Sequence, residues 1–325
     1  MKENDRLSPK QQERSLLVED IFNRGVEDIL TKGELHDLLQ SGNRLTIKYG
    51  IDATDPDLHL GHAVGLLKLA QFHELGHRII LLFGDFTAQI GDPSGKTTAV
   101  RRSLTPEQIN ENITYYRDQV GRVLDLNKKD NPVEIHSNNE WLSTLPADEF
   151  LRLADRFTLG RFLAKRTFAE RLAQKEDIYL HELLYSIVQA YDSVALQADV
   201  EIGGNDQIFN FMITRDIQPI FHQKPEVAIM VPLLPGTDGQ KMSKSAYNTI
   251  NLSDLPEVMY QKALTIPDEV VIDYFDLATD IPSSRVREMR ETFHEYDATK
   301  KQSFKAILGR ELVAMYWGID AALRF

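Results

Sequence analysis

The order of apolar and polar residues predicts a parallel α/β sheet early in the chain. Residues 45–52 have the apolar and β-branched content of a strand, and residues 78–84 form an apolar run typical of a buried strand. Between them, residues 61–75 place Val64 and Leu67 on one helical face. Strand, glycine-containing turn, helix and strand make a βαβ unit. We therefore expect helices on both faces of the sheet and ligands at the carboxyl ends of its strands.

Similar patterns extend the sheet and surround it with helices. Residues 9–42 have helical composition, with Thr31 and Glu34 placed as a capping box and Gly42 as a stop, and they predict a helical preface. Thr105, followed by proline, predicts a helix over 106–123. Residues 148–197 and those beyond 252 are mostly helical, and further strand signals lie at 133–136, 198–202 and 227–234. We predict an α/β domain over 1–235 with a mostly helical insertion at about 114–197, then a small α-helical region over 236–325.

Composition narrows the chemistry and the cellular setting. The 325-residue chain is 42% hydrophobic and contains no cysteine, which excludes disulfides, thiolate zinc sites and thiol nucleophiles. Any reaction must then use histidine, lysine, carboxylates or backbone amides. Apolar runs are far shorter than the roughly 20 residues of a membrane span, and the N-terminus has no apolar signal region. We expect a cytoplasmic protein without membrane contact.

The net charge of −12 argues against nucleic-acid binding through a generally basic surface. Two local stretches are basic all the same. Lys96, Arg101 and Arg102 make one of them. The other spans 156–171, where basic and aromatic residues are interleaved: Phe157, Arg161, Phe162, Lys165, Arg166 and Phe168. A run of this kind is most often a solvated helical face, and we favour that interpretation for each stretch taken alone.

Two histidines stand at the start of the first predicted βαβ helix. His59 and His62 bracket Gly61, so both imidazoles can lie beside the N–H groups of a helix N-terminus, which attract anions. The glycine lets a nucleotide approach the backbone. A surface pair or a metal site is the alternative, but the segment offers no obvious third metal ligand, and we expect no metal site. By itself the motif also fits small nucleotidyltransferases.

A lysine-rich loop supplies a second candidate motif. Lys241 and Lys244 are separated by Met242 and the small Ser243, and they follow a glycine-containing turn over 236–240. Two ammonium groups on such a loop can close over a triphosphate and follow the charge that develops as pyrophosphate leaves. A solvated loop is the alternative. The same pattern about 180 residues after a histidine motif is rarely accidental.

Three polar side chains share one face of a predicted helix. Tyr185, Gln189 and Asp192 fall at positions i, i+4 and i+7, and the intervening residues are mostly apolar. A solvated stripe is the common alternative. Because this one consists of tyrosine, glutamine and aspartate without lysine or glutamate, the pattern favours a pocket.

Together these motifs resemble class I aminoacyl-tRNA synthetases, which are defined by the histidine and lysine motifs. Over about residues 30–270, further segments resemble the bacterial type of tyrosyl-tRNA synthetase: 48–54, 91–96 with Phe86-Thr87 before it, 189–192 and 203–207. The resemblance implies a Rossmann-like catalytic domain followed by an anticodon-binding-type helical region. It also implies L-tyrosine, ATP with Mg²⁺ and tRNA(Tyr) as substrates. A homodimer, with residues 114–170 in its interface, is implied as well.

The resemblance also implies roles for single residues. Thr54, His59 and His62 would act on the phosphates, and Lys241 and Lys244 on the leaving group. The implied ATP-binding residues are Gly50, Asp52, Gly61, Lys96, Gly204, Asp206, Lys241, Met242, Ser243 and Lys244. The implied tyrosine-binding residues are Asp52, Asp92, Tyr185, Gln189, Asp192, which would accept the phenol O–H, and Gln207.

Within the segment 48–54, the chain departs from the resembled family pattern at two positions. Lys48 stands where many relatives carry a tyrosine that contacts the substrate hydroxyl, so that one contact is in doubt. Ala53 stands where proline is usual, and the change mainly loosens the turn.

The implied reaction is attack of the tyrosine carboxylate on the α-phosphorus of ATP, followed by transfer of the tyrosyl group to the tRNA 3′-hydroxyl. The carboxylate is already ionised, so no general base is needed. A tryptophanyl relative or a nucleotidyltransferase is the alternative among enzymes, and the Tyr185, Gln189 and Asp192 face disfavours both. An amino-acid activator or binding protein that no longer charges tRNA is another alternative. Full-length relatives continue into a basic RNA-binding domain, whereas this chain stops at Phe325.

Overall fold

The computed structural model of the protein describes residues 8–94 and 105–325. One sheet contains the six strands found in these ranges: β1 (Asp28–Leu30), β2 (Thr46–Asp52), β3 (Arg78–Gly84), β4 (Glu134–Ser137), β5 (Val200–Gly204) and β6 (Val227–Val231). Their order across the sheet is β1-β6-β5-β2-β3-β4. Neighbouring strands pair in parallel except β1 and β6, which are antiparallel. The predicted α/β fold with a parallel-dominated sheet is confirmed.

Helices precede, connect and follow the strands. Those in the first half are α1 (Pro9–Asn23), α2 (Lys32–Gln40), α3 (Leu60–Glu74), α4 (Asp85–Ile90), α5 (Pro106–Val120), α6 (Asn139–Leu142), α7 (Ala147–Ala154) and α8 (Leu159–Leu163). The others are α9 (Arg166–Ala173), α10 (Leu180–Leu196), α11 (Ile208–Ile217), α12 (Pro256–Thr265), α13 (Val271–Ala278), α14 (Ser283–Thr292), α15 (Ala298–Trp317) and α16 (Ile319–Ala322). Short 3₁₀ turns join several of them.

The alternation of side chains along the central strands divides the core into two layers. Ile47 and Leu81 point to one face, where they join the large cluster that includes residues of α3. Ile80 and Leu82 point to the opposite face and pack with Leu196 of α10. In β3 every residue after Arg78 is buried, as the continuous apolar run predicts for a strand covered on both faces.

The C-terminal helices share the larger of these layers with the sheet. Helix α13 packs against α3, and α12 packs against α15. Val271, Tyr274 and Phe275 of α13 are fully buried in the same cluster as Ile47. The sheet and the C-terminal helices therefore bury a common apolar core. Within the described ranges, no helix combines the length and the apolar character that a membrane span requires.

The prediction of one helical preface over residues 9–42 is wrong in its middle. Helix α1 ends at Asn23, Gly25 adopts a positive φ of 59°, and β1 then pairs with β6 at the edge of the sheet. Ile29 in this strand is 5% exposed, so its burial and the ladder hydrogen bonds outweigh local helix propensity. Thr31 caps α2 as predicted, and its side chain accepts from the Glu34 backbone N–H at 3.4 Å.

The other predicted elements occur close to where the sequence predicts them, whereas α4 and α11 were not predicted. The strand at 45–52 is β2, the strand at 78–84 is β3, and the helix at 61–75 is α3. The capping box at Thr105 and Gln108 begins α5, which ends at Val120 rather than at residue 123. These small differences at element ends are of the usual size.

Candidate active site

A cavity of about 340 Å³ lies at the carboxyl ends of β2, β3 and β5. Most of the residues predicted for the site line it: Gly50, Asp52, Thr54, His59, Gly61, His62, Asp92, Tyr185, Gln189, Asp192, Gly204, Asp206, Gln207, Lys241 and Met242. Ser243 and Lys244 follow in the same loop but are not among the residues that line the cavity. Lys96 lies outside the described residues. The topology places the cavity where an open parallel sheet offers a ligand site.

The two histidines cap the helix that follows β2. The Nδ1 atom of His59 accepts the Gly61 backbone N–H at 3.2 Å, and Nδ1 of His62 accepts the backbone N–H of His59 at 3.2 Å. The ring centroids are 4.1 Å apart. A side-chain Cβ at Gly61 would lie 2.9 Å from the His59 ring, so any other residue here would displace that ring.

These contacts determine the protonation of both rings. Because both Nδ1 atoms accept backbone N–H groups, each imidazole carries its proton on Nε2. Burial lowers the pKa of His59 to about 2, helped by His62 and Lys244. Burial and Lys244 lower the pKa of His62 to about 4. Near neutral pH the pair therefore presents two uncharged N–H donors at the helix N-terminus.

The lysine loop is shaped by Asn248. Its Oδ1 accepts the Ser243 backbone N–H at 2.8 Å, and its Nδ2 donates to Asp238 Oδ1 at 2.8 Å and to the Lys241 carbonyl oxygen at 3.1 Å. Pro235 and Lys241 form an isolated antiparallel bridge across the turn. These contacts fix the spacing between the two lysines and the cavity mouth.

Both lysine side chains are directed toward acidic groups near the cavity. Lys241 Nζ lies 3.2 Å from Asp206 Oδ2, and the lysine side chain is 55% exposed. Lys244 Nζ donates to the Asp55 carboxylate and to the Asp57 carbonyl oxygen. Burial lowers the pKa of Lys244 although Asp55 opposes the shift. An anionic ligand that enters the cavity can replace these carboxylates as the partner of the two ammonium groups.

Asp192 contributes a buried carboxylate to the wall of the cavity. Its carboxylate accepts from Trp141 Nε1 at 2.8 Å and from Asn138 Nδ2 at 3.2 Å, and the residue is 2% exposed. Burial raises the pKa of Asp192 to about 7, while Lys48 and these two donors act in the opposite direction. A buried carboxylate held this way offers a strong acceptor to a ligand hydroxyl.

A second polar group stands at the end of β2. Asp52 accepts from Tyr185 Oη at 2.9 Å through Oδ2 and from Thr87 Oγ1 at 2.7 Å through Oδ1. Burial and the carboxylate of Asp52 raise the pKa of Tyr185 well above its usual range. A Cβ at Gly84 would lie 2.2 Å from Asp52 Oδ1 and 2.3 Å from Thr87 Oγ1.

A chain of amide and carboxyl groups forms the third polar edge. Gln207 Nε2 donates to Asp92 Oδ2 at 2.7 Å, and Asn210 Nδ2 donates at 2.8 Å to Gln207 Oε1 and to Gln189 Oε1. Lys165 Nζ, which is not one of these amide and carboxyl groups, also donates to Asn210 Oδ1 at 3.2 Å. The predicted residues Asp92, Gln189 and Gln207 are therefore held in one network.

Comparison of the chain with known proteins identifies its family. A family model described as tRNA synthetases class I (W and Y) matches residues 40–324. The tyrosine–tRNA ligase of Carboxydothermus hydrogenoformans is 41% identical over 308 residues, which cover 93% of this chain and 74% of that protein. This chain belongs to the tyrosine–tRNA ligase family of class I synthetases.

Other members and solved structures agree with this membership. The tyrosine–tRNA ligase of Coxiella burnetii is 42% identical over 304 residues, which cover 93% of this chain and 74% of that ligase. The tyrosyl-tRNA synthetase of Archaeoglobus fulgidus, solved in complex with L-tyrosine, matches with a TM-score of 0.76 and 24% identity over 95% of this chain and 98% of that one. A C-terminally truncated mitochondrial tyrosyl-tRNA synthetase of Aspergillus nidulans matches with a TM-score of 0.77 and 19% identity over 96% of both chains. These two structures show the shared synthetase fold.

Several residues of this synthetase site were not predicted from the sequence. Trp141 and Asn138 hold Asp192, Thr87 holds Asp52, and Asn210 joins Gln189 to Gln207. Except for Asn210 and Gln207, the two residues in each of these contacts are 21 to 54 positions apart along the chain. Local sequence spacing therefore does not reveal most of these contacts. The isolated Trp141, one of only two tryptophans, is the one weak signal.

The basic stretches have mixed outcomes in the structure. Arg161 pairs with Asp216, and Arg166 pairs with Glu170, which fits the solvated surface that we favoured. Lys165 differs because it is 6% exposed and donates to Ser94 Oγ at 2.8 Å. Lys96, Arg101 and Arg102 lie outside the described residues. In the part of the chain that the structure describes, no group of three or more His, Asp or Glu could hold a metal ion.

Proposed function

We propose that this protein activates L-tyrosine with ATP and Mg²⁺ to tyrosyl-adenylate and then transfers the tyrosyl group to tRNA(Tyr). The observation that carries the proposal is the buried Asp192 carboxylate in the wall of a cavity that residues of the histidine and lysine motifs also line. A phenol O–H can reach this acceptor, whereas phenylalanine would leave the buried carboxylate without that third hydrogen bond.

The tyrosine end of the cavity supports recognition of both ends of the amino acid. Asp192 would accept the phenol O–H. The ammonium group would be bound by the polar groups nearer the cavity mouth, which are Asp52, Asp92, Tyr185, Gln189 and Gln207. Such a division holds the amino-acid carboxylate close to the strand ends, where the nucleotide phosphates are expected.

The nucleotide end of the cavity supports phosphoryl chemistry by positioning and charge stabilisation. The Nε2–H groups of His59 and His62, with Thr54, would donate to the α-phosphate as negative charge develops on it. Lys241 and Lys244 would exchange Asp206 and Asp55 for the departing pyrophosphate, whose magnesium is bound as part of the ATP substrate. Further ATP contacts are proposed at Gly50, Asp52, Gly61, Lys96, Gly204, Asp206, Met242 and Ser243.

Broader features of the family complete the proposal. The protein would act in the cytoplasm as a homodimer with residues 114–170 in its interface. Its catalytic domain would span 1–235, and the region 236–325 would combine the lysine loop with an anticodon-binding-type helical domain. The chain spans about three quarters of the length of its curated relatives, 74% for the two quoted above.

ATP–pyrophosphate exchange across all standard amino acids tests the first half of the reaction. We expect exchange with tyrosine and none with phenylalanine or tryptophan. Aminoacylation of tRNA(Tyr) tests the second half. Exchange without charging would select the amino-acid activator instead, and the absence of tyrosine-dependent exchange would contradict the proposal.

A variant pair tests the assignment of the lysines. Lys241→Ala and Lys244→Ala should each lower the rate of exchange by at least about tenfold, because each removes one cation from the leaving group. Tyrosine binding without ATP, measured at equilibrium, should remain unchanged. Unchanged exchange in both variants would show that the lysines act elsewhere.

A further inference from the structure

A buried ion pair forms part of the cavity wall. Lys48 Nζ is 2.9 Å from Glu201 Oε1, and the two side chains are 1% and 3% exposed. The residues are direct register partners on β2 and β5, and both contribute to the cavity wall. The proposed function assigns a role to neither of them.

The pair contacts Gln189 and the residue that follows Asp192. Lys48 Nζ donates to Ser193 Oγ at 2.6 Å, and Ser193 directly follows Asp192 on α10. Glu201 Oε1 accepts from Gln189 Nε2 at 3.3 Å. One ion pair thus bonds to the residue next to the proposed phenol acceptor and to a proposed ligand of the ammonium group.

Stability does not account for this arrangement. Taking two charges out of water costs several kcal/mol per ion, and replacement of a buried pair by apolar residues is often neutral or stabilising. The strand positions around the pair on this face are apolar, as Ile80, Leu82 and Ala228 show. A charged pair where this layer meets the cavity indicates a role in the site.

We propose that Lys48 and Glu201 form a positioning pair for the amino-acid substrate. Lys48 keeps Asp192 ionised as the acceptor of the phenol O–H, and Glu201 orients the Gln189 amide toward the bound amino acid. The pair thereby acts as a specificity determinant for tyrosine over phenylalanine. This inference rests on the proposed function and deepens it.

The charges around Asp192 support this assignment. Lys48 on β2 lowers the pKa of Asp192, and Glu201 on β5 raises it. Burial raises the pKa of Glu226, next to β6, well above its usual range, and the carboxylate of Glu201 adds to this shift. Burial disfavours the Lys48 ammonium, but Glu201 leads the acidic groups that keep its pKa above the ordinary value.

The other elements around α10 add no cation at this point. Asn138 and Trp141, from the segment after β4, donate neutral hydrogen bonds to Asp192. Helix α11 contributes the neutral Asn210, and on α10 itself Tyr185 faces both Asp52 and Asp192. Among the described residues, Lys48 is the cation that acts on Asp192.

The test is the pH dependence of the tyrosine KM in ATP–pyrophosphate exchange, measured from pH 6 to 9. In the wild-type protein the KM should fall as pH rises through the pKa of Asp192, because only the carboxylate is a full acceptor. Lys48→Met should move this midpoint up by about one pH unit or more and raise the KM at pH 7 about tenfold. Discrimination against phenylalanine should fall, because loss of the phenol hydrogen bond costs less at a buried neutral carboxyl than at a buried carboxylate.

Two further variants separate charge from packing. Glu201→Gln removes the anion that raises the pKa of Asp192, so its midpoint should move down instead of up. The double variant Lys48→Met with Glu201→Gln should return the midpoint toward the wild-type value. A role in packing alone predicts no opposite displacements. If Lys48→Met fails to fold, the downward shift in Glu201→Gln still decides the matter.

A matched control removes a buried lysine elsewhere. Lys68 is 2% exposed and donates to the carbonyl oxygens of Asp20 and Ile21. Lys68→Met should leave the midpoint and the discrimination unchanged. Wild-type midpoints in the folded Lys48→Met or Glu201→Gln protein would overturn the positioning pair. Absence of tyrosine-dependent exchange in the wild-type protein would contradict the proposed function instead, which keeps the two failures apart.

Discussion

At the scale of single residues, the site depends on polar groups that are buried and partnered. Asp192 is 2% exposed, and each of its carboxylate oxygens accepts one hydrogen bond. His59 and His62 are uncharged because burial and Lys244 oppose protonation. In both cases the surroundings, rather than the residue type, determine the charge state that a ligand meets.

Removal of one donor to Asp192 should weaken tyrosine binding selectively. Trp141→Phe deletes the Nε1–H bond to Oδ1, and a hydrogen bond to a charged group is worth about 1.5 to 3 kcal/mol. We expect the tyrosine KM in exchange to rise roughly tenfold to a hundredfold, and the pH at which it levels off to move upward. Trp317→Phe is the control, because Trp317 donates to the Asp254 carbonyl oxygen instead. Equal effects of the two changes would argue against a specific role for Trp141.

At the scale of elements, strand ends and helix starts place the chemistry. Strand β2 ends at Asp52, α3 begins at Leu60, and His59 caps that helix. The lysine loop has little regular structure, and Asn248 supplies hydrogen bonds that helix or sheet would otherwise provide. The geometry of the loop therefore depends on one amide.

Loss of that amide should impair the nucleotide half of the site only. Asn248→Ala removes three hydrogen bonds, each worth about 1 kcal/mol, and should lower kcat for exchange on the order of tenfold or more. Gly236→Ala should have a similar effect, because its Cβ would lie 2.4 Å from the Asn248 side chain. Equilibrium binding of tyrosine without ATP should be retained. Weakened tyrosine binding in both variants would show that the loop has a wider structural role.

At the scale of the whole molecule, one apolar core joins the N-terminal helix, the sheet and the C-terminal helices. Lys68 of α3 lies within it and binds the end of α1 through two carbonyl oxygens. Burial lowers the pKa of Lys68 to about 7, although Asp20 opposes the shift. The neutral amine is thus the form that suits the folded protein.

This shift makes stability depend on pH. Between about pH 7 and the ordinary pKa of lysine, the unfolded chain binds more protons than the folded one, so the free energy of unfolding rises with pH. The stability of the wild-type protein relative to Lys68→Met should therefore increase from pH 7 to 9, by on the order of 1 to 3 kcal/mol. Urea unfolding at pH 7, 8 and 9 measures it. A constant difference across this range would show that Lys68 stays charged in the folded state.

The sequence by itself determined the elements with strong local signals and the residue types of the site. Strand β3 and the capping box of α5 follow from patterns within a few residues, and the histidine and lysine motifs follow from composition and order. These features rest on interactions between near neighbours along the chain, which a local pattern encodes.

Only the tertiary structure decided what surrounds these residues. Strand β1 exists because β6 offers it a sheet edge about 200 residues later, so its helical composition was misleading. Trp141 meets Asp192 across 51 residues, and Lys48 meets Glu201 across the register of two strands that are distant in sequence. Such contacts arise from strand order and helix packing, and no spacing along the chain records them. The charge state of Asp192 is consequently a property of the fold.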